Sequence, residues 1–267
     1  ELLERKLHGT GPLPQFTSCC PAWVKFCETF FPEYVPHISS ARSCIAMESA
    51  MVKTYFAKNM NIDPKKIVSV SVAPCTAKKA EIRRPEQNNA ARFTGEDLGP
   101  DTDICITTRE FAQWIREAEL DFAAVEDSAY DKFIGAATGG GVIFGNTGGV
   151  MEAAMRASYK FITGDEPSPA PLLNLTDVRG MDGVKEATVE IGGHTINVAV
   201  CHGGKNIREF LNELKESGKT YDFIEMMACP GGCIGGGGQP RAKLPVANKV
   251  KGERIEGLYN WDSNMKL

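Results

Sequence analysis

The chain has 267 residues, 42% hydrophobic and 24% charged, with a net charge of −4 at pH 7. That size fits one large domain or two lobes sharing a cleft. The acidic balance argues against a nucleic-acid binder, which carries a basic footprint. No apolar run reaches the length of a bilayer. No secretory pattern opens the chain, so a cytoplasmic location is expected. Nine cysteines in a chain of this kind point to metal binding before disulfides.

In chain order, Glu1 begins a helical pattern (Glu-Leu-Leu-Glu-Arg-Lys-Leu) with no cap before it. Ser43–Asn59 reads as a helix with Ile45, Met47, Met51, Val52 and Phe56 at apolar positions, and Ser43 as its cap. Ile67–Ala73 reads as a buried strand that ends at Pro74 and delivers Cys75 at its carboxyl end. Asp103–Ile106 is a short strand, followed by a helix with a Thr107/Glu110 capping box. Gly139–Gly141 and Gly148-Gly149 punctuate a loop, and a helix runs from Val150 to about Phe161. Asp165–Pro171 holds three prolines and reads as a linker or surface loop. Ala187–Ile191 and Thr195–Cys201 form a hairpin about Gly192-Gly193. Asn206–Ser217 is an amphipathic helix stopped by Gly218, and Phe223–Ala228 is a last strand ending at Cys229. Alternating strands and helices predict an α/β fold with a largely parallel sheet flanked by helices. Ligands in such folds gather at the carboxyl ends of strands, where Cys75 and Cys229 fall.

Three cysteine segments carry the chemistry. Thr17-Ser18-Cys19-Cys20-Pro21-Ala22-Trp23 and Ala73-Pro74-Cys75-Thr76-Ala77-Lys78-Lys79-Ala80-Glu81 each set a thiol beside a proline, at a stiff bend. Cys229-Pro230-Gly231-Gly232-Cys233, then Gly235–Gly238, Gln239 and Pro240, places two thiols on a turn almost without side chains. Glycines there let backbone approach a bulky group and turn N–H groups towards it. One cysteine from each of the first two segments, with Cys229 and Cys233, makes the four sulfur ligands of a cubane iron–sulfur cluster. Four thiolates also suit zinc, although zinc sites come as paired short knuckles and only one close pair exists here. Adjacent side chains in extended backbone point to opposite sides, so Cys19 and Cys20 have different jobs. Cys27, Cys44, Cys105 and Cys201 sit in apolar surroundings and read as buried structural thiols. The glycine run lacks the Gly-Lys-Ser/Thr ending of a phosphate loop.

Together these segments resemble the catalytic domain of the FeFe-hydrogenases. The similarity continues through Asp103–Phe111 and Gly141–Ala153. The resemblance implies two lobes, portions of which lie at about residues 12–160 and 161–267. Between them it places a buried cofactor, a 4Fe-4S cluster joined to a diiron unit with carbonyl, cyanide and a bridging dithiolate. It implies Cys20, Cys75, Cys229 and Cys233 as cubane ligands, with Cys233 bridging to the diiron unit. Cys19 becomes a proton-relay thiol, and Lys78 a donor to a cyanide nitrogen. Ala73, Pro74, Met227, Gly231 and Gly232 wall the site, and Ser43 and Glu1 are candidate relay groups.

The reaction expected is the reversible conversion of two protons and two electrons into dihydrogen. Expected partners are a ferredoxin or electron-transfer subunit, dedicated maturation proteins, and a companion chain completing the domain. The family extends beyond both ends of this sequence, so a partial domain is expected. Two departures stand out: Ala22 replaces a glycine, and Ala73 stands where many members have methionine. Rival readings are a hydrogen sensor and a non-catalytic iron–sulfur assembly factor. The latter should lose the Cys19-type thiol and the Lys78-type lysine, both of which this chain keeps.

Overall fold

The computed structural model describes residues 1–130, 134–135, 137–166 and 179–265. In chain order its elements are α1 (Leu2–His8), β1 (Gln15–Phe16), α2 (Pro21–Phe30), α3 (Cys44–Met51), α4 (Ala57–Met60), β2 (Val70–Ala73), α5 (Lys78–Glu81), α6 (Asn89–Thr94), β3 (Ile104–Thr107), α7 (Thr108–Glu117), α8 (Gly139–Ile143), α9 (Gly149–Thr163), β4 (Val184–Ile191), β5 (His194–His202), α10 (Gly204–Ser217), β6 (Phe223–Met227) and α11 (Ala247–Asp262). Packing divides the chain into two units that interleave in sequence. One comprises Glu1–Ala41, Thr138–Gly235 and Ala242–Leu267; the other comprises Arg42–Ala137 and Gly236–Arg241. The lobe boundary expected near residue 160 therefore falls inside the first unit, within α9. From Pro167 onward, the expected proline linker lies outside the described residues.

The first unit is built on a four-stranded sheet of order β1-β6-β5-β4. β1, β6 and β5 run parallel, and β4 returns antiparallel to β5. The hairpin joining β4 to β5 turns at Gly192 and Gly193, with φ of +56° and +82°. Two consecutive positive φ values are what a two-residue turn matched to strand twist requires, and glycine supplies them without strain. Alternation along β5 sends Ile196, Val198 and Val200 to one face and Ala199 and Cys201 to the other. The first face packs on Met151 and Met155 of α9. The second packs on Trp23 and Cys27 of α2 and on Ile207 and Leu211 of α10. Helices on both faces make this an α/β layer structure, as expected.

Glu225 breaks the apolar run of β6 and is fully buried. Its Oε1 accepts from Gly148 N–H and its Oε2 from Met151 N–H, both at 2.7 Å. It thereby satisfies donors at the start of α9 that have no partner within the helix. Burial pushes this carboxyl up to about 7, against the backbone bonds and the nearby Lys185 ammonium, which favour the charged form. The glycines expected in a loop at 139–141 instead form the first turn of α8. A Cβ on Gly139 would lie 2.0 Å from Asp262 Oδ1, so glycine is what lets α11 approach α8. Asp262 takes two 2.7 Å bonds from Arg156 of α9. At Gly149 a Cβ would lie 1.7 Å from the Ile143 carbonyl oxygen.

In the second unit β2 and β3 pair in parallel, Val70 with Ile104 through Ala73 with Thr107. The expected burial of this strand is corrected: Ala73 is buried, but Val70 and Val72 are exposed among the described residues. Thr107 and Glu110 form the expected capping box at the start of α7. The single helix expected over Ser43–Asn59 is interrupted by a π turn at Val52–Phe56. Lys53 of that turn is buried, donating to Pro100 O at 2.7 Å and Asp103 Oδ1 at 2.9 Å.

Two predictions follow from this packing. Gly149→Ala has no room and should lower the unfolding free energy by about 3 kcal/mol. Gly252→Ala, in α11 with open space at its Cβ, should raise it by about 1 kcal/mol; urea titration of both variants measures the contrast. For Glu225, both folded and unfolded chains hold the proton below the model-peptide value of 4.5, while between 4.5 and about 7 only the folded chain does. Stability from this group is therefore full at low pH and lost as pH rises through that window. Wild type should lose stability relative to Glu225→Gln between about pH 5 and about pH 8, read from denaturation curves.

Candidate metal centre

Because β1, β6 and β5 are parallel, their carboxyl ends lie at one edge of the sheet, and the segments bearing Cys20, Cys229 and His202 all leave from it. The β1–β6 ladder is only two residues long. Beyond it side chains replace backbone acceptors: Met226 N–H donates to Thr17 Oγ1 at 3.0 Å, and Ala228 N–H to Cys20 Sγ at 3.5 Å. Cys20 is buried at the N-cap position of α2, with Pro21 fixing the first helical residue. Cys19 is half-buried. This edge brings the first cysteine motif against the third.

The Cys229–Cys233 turn is held on both sides. Gly231 N–H donates to His202 Nδ1 at 3.0 Å, and Gly231 O accepts from Thr147 N–H at 3.0 Å. Gly232 N–H closes back on Cys229 O, and Ile234 N–H reaches Gly145 O. Both turn glycines have φ of +84°. A Cβ on Gly232 would stand 2.7 Å from Thr147 N. This corrects the expectation that the glycines turn their N–H groups towards a guest. The N–H groups of Gly231 and Gly232 are spent on protein acceptors, and Gly232 is required because the 145–148 loop packs so close. Met227, the last residue of β6, is buried, and its carbonyl accepts from Gly203 N–H.

In the second unit Cys75 follows β2, as expected. Gly236–Arg241, the tail of the third motif, belongs to this unit. Gly238 N–H donates to Pro74 O at 2.9 Å, and Arg109 donates to Gly237 O at 2.7 Å. A Cβ on Gly238 would meet Thr107 at 2.8 Å, so this glycine too serves close packing. Lys78 is buried and pairs with buried Glu81 at 2.7 Å. Lys79 pairs with Glu110.

Ser43 precedes α3, but its side chain makes no capping bond, and its buried Oγ has no partner among the described residues. The hydroxyl bonded to Glu1 is that of Ser39, at 2.5 Å. Burial alone would raise the Glu1 carboxyl, but the bonds from Ser39, Ser40 and Arg5 outweigh it and bring it down to about 2. Ser39 carried no helical or motif signal in the sequence and was missed. Cys27 and Cys201 are fully buried, and burial pushes both thiols up to about 12, as inert structural cysteines require. Cys105 is buried as well; Cys44, expected to be buried, is exposed.

Thiolate ligands as a class suit soft metals. A zinc site packs its thiolates within about 4 Å of one another. Among the described residues no three His, Cys, Asp or Glu side chains form a group able to hold one metal ion. Beside the turn, the side-chain oxygen and nitrogen of buried Asn146 have no partner among the described residues, leaving polar capacity unspent. An N–H donor on Cys20 sulfur is the kind of contact that tunes iron–sulfur sites.

The model of the iron-only hydrogenase large subunit, C-terminal domain, matches residues 1–237. The periplasmic Fe hydrogenase large subunit of Nitratidesulfovibrio vulgaris is 48% identical over 229 residues, 86% of this chain and 52% of that protein. A cytosolic Fe–S cluster assembly factor of Xenopus tropicalis is 32% identical over 96% of this chain and 53% of its own length. The structure of an apo FeFe-hydrogenase from Chlamydomonas reinhardtii superposes with a TM-score of 0.76 at 35% identity, covering 95% of this chain and 69% of that one. The chain spans about half the length of the curated relatives it matches. It belongs to the iron-only hydrogenase family, within the C-terminal domain of the large subunit.

Proposed function

We propose that the chain carries the catalytic centre of a hydrogenase, interconverting two protons and two electrons with dihydrogen. In this reading Cys20, Cys75, Cys229 and Cys233 hold a 4Fe-4S cluster, and Cys233 also bridges to a diiron unit bearing carbonyl, cyanide and a dithiolate. When bound, that group would supply redox-active iron, while the electrons come from outside the chain. The observation that carries the reading is the bond from Ala228 N–H to Cys20 Sγ, which joins the first and third motifs at one sheet edge.

The protein's own part is to hold, orient and relay. Cys19 Sγ passes protons at the site. A thiol suits this because its ordinary pKa of about 8.5 lies within reach of neutral pH. Glu1 is retained as a candidate relay group bonded to Ser39 Oγ, although the same bonds hold its carboxyl down to about 2 and disfavour its taking up a proton. Ser43 remains a candidate relay on the strength of its unpartnered buried hydroxyl. Lys78 Nζ would supply a charged donor to a cyanide ligand of that group, and Glu81 offsets the cost of burying the ammonium. Ala73, Pro74 and Met227 exclude water. Electrons come from a ferredoxin or a companion subunit, and loading needs maturation proteins.

The rival is an assembly role, favoured by the similarity to an Fe–S assembly factor. Retention of Cys19 and Lys78 speaks for turnover. Infrared spectroscopy of the matured chain decides: bands of iron-bound carbonyl and cyanide are expected, and their absence from a fully matured sample overturns the hydrogenase reading. Cys19→Ala should cut turnover at least about 100-fold with iron content unchanged. Cys20→Ala and Cys229→Ala should each lose cubane iron, measured by iron assay and EPR. Cell fractionation tests the proposed cytoplasmic siting against the periplasmic one named for the relative.

A further inference from the structure

The feature left unexplained by the ligand set is His202. It is the last residue of β5, far in sequence from the three cysteine motifs, and 3% exposed. Its Nδ1 accepts from Gly231 N–H at 3.0 Å, and its Nε2 lies 3.2 Å from Met181 O. An amide can only donate and a carbonyl only accept. The ring is therefore the neutral tautomer with its proton on Nε2. Both ring nitrogens are committed, so His202 is no metal ligand as it stands. The residue is itself anchored: Asn206 Nδ2 donates to His202 O at 2.8 Å, and Gly203 N–H donates to Met227 O at 2.9 Å.

We propose that His202 is a positioning residue for the Cys229–Cys233 turn, its Nδ1 lone pair fixing the Gly231 amide and with it the two flanking thiols. This rests on the reading of Cys229 and Cys233 as cluster ligands. Gly231 lies midway in sequence between Cys229 and Cys233, in a backbone conformation only glycine adopts freely. A turn of that kind has few internal restraints. Its shape is set from outside, by the imidazole on one side and by Thr147 N–H on the Gly231 carbonyl on the other. Without the imidazole, the buried Gly231 N–H would have to find another acceptor, and the turn would shift to reach it. Partners that orient metal ligands in this way commonly change metal retention by about 10- to 100-fold when removed.

Two amide substitutions separate this role from general packing, because they are alike in polarity and differ in which ring nitrogen they imitate. His202→Asn places its carbonyl oxygen where Nδ1 sat and keeps the acceptor for Gly231. His202→Gln reaches the Nε2 position, keeps a donor for Met181 O and leaves Gly231 N–H without its acceptor. The full chain of each is reconstituted anaerobically with ferrous iron and sulfide. Iron and sulfide per chain, the rate of cluster loss to a chelator, and the EPR-monitored reduction potential are then measured. Thermal unfolding of the metal-free chains is run alongside.

The expected result is wild-type retention in His202→Asn and cluster loss about tenfold faster in His202→Gln, with similar thermal midpoints for the two. Equal retention in both variants overturns the proposal, as does loss that simply tracks the thermal midpoint. Cys229→Ala is the control. If it keeps a cluster as well as wild type does, the ligand reading itself has failed, and the role of His202 fails with it.

Discussion

Everything at the candidate centre depends on the parallel pairing of β1 with β6. The ladder covers only Gln15 with Phe223 and Phe16 with Ile224. It is prolonged by Thr17 Oγ1 and Cys20 Sγ, which accept from Met226 and Ala228 in turn. The period of the strand thus continues after the strand has ended, and a cysteine sulfur occupies a place usually taken by a carbonyl. Trp23, with no exposure, donates to Thr17 O at 2.9 Å and stacks edge-on to Phe16, locking the same turn from beneath. Two residues of sheet would be a weak anchor alone. The flanking hydroxyl, thiol and indole make it rigid.

The same unit spends glycine in an unusual proportion on closeness instead of flexibility. Gly139, Gly149 and Gly232 each face backbone or a fixed carboxylate at distances no side chain tolerates. Around them runs a buried polar framework of Glu225, Lys185, Thr147 and His202, in which Lys185 Nζ reaches Gly180 O at 2.9 Å and Thr147 Oγ1 at 3.4 Å. Burial brings the Lys185 ammonium down to about 8 despite the neighbouring Glu225 carboxyl. Satisfied networks of this sort specify one arrangement of a core, since any alternative strands a charge.

Much of this was legible in the sequence, and the limits have physical causes. The hairpin at Gly192-Gly193, the capping box at Thr107 and the carboxyl-end placement of Cys75 and Cys229 follow from local rules that depend on neighbours in sequence. The π turn at Val52–Phe56 did not, because burying Lys53 against Pro100 and Asp103 is a long-range bargain. Nor did Ser39 or His202, whose roles exist only once β1, β5 and β6 are side by side. Glu225 left a trace, a lone charge in an otherwise apolar strand. Ser43 was misjudged as a capping residue because its position before α3 is right while its hydroxyl bonds nothing there. Gly232 of the third motif is needed for a reason invisible in the sequence: it admits the backbone of the 145–148 loop.

Two groups among the cysteines differ in their chemistry. Cys27 and Cys201 are fully buried, with thiols held far above neutrality, and so carry almost no nucleophilic sulfur. Cys19, Cys75, Cys229 and Cys233 are partly open to solvent. Exposure to air before metal loading would thus fall on four of the five thiols proposed for the centre and spare Cys27 and Cys201. A sample spoiled in this way would look well folded by every spectroscopic measure of structure while having lost its capacity to be filled.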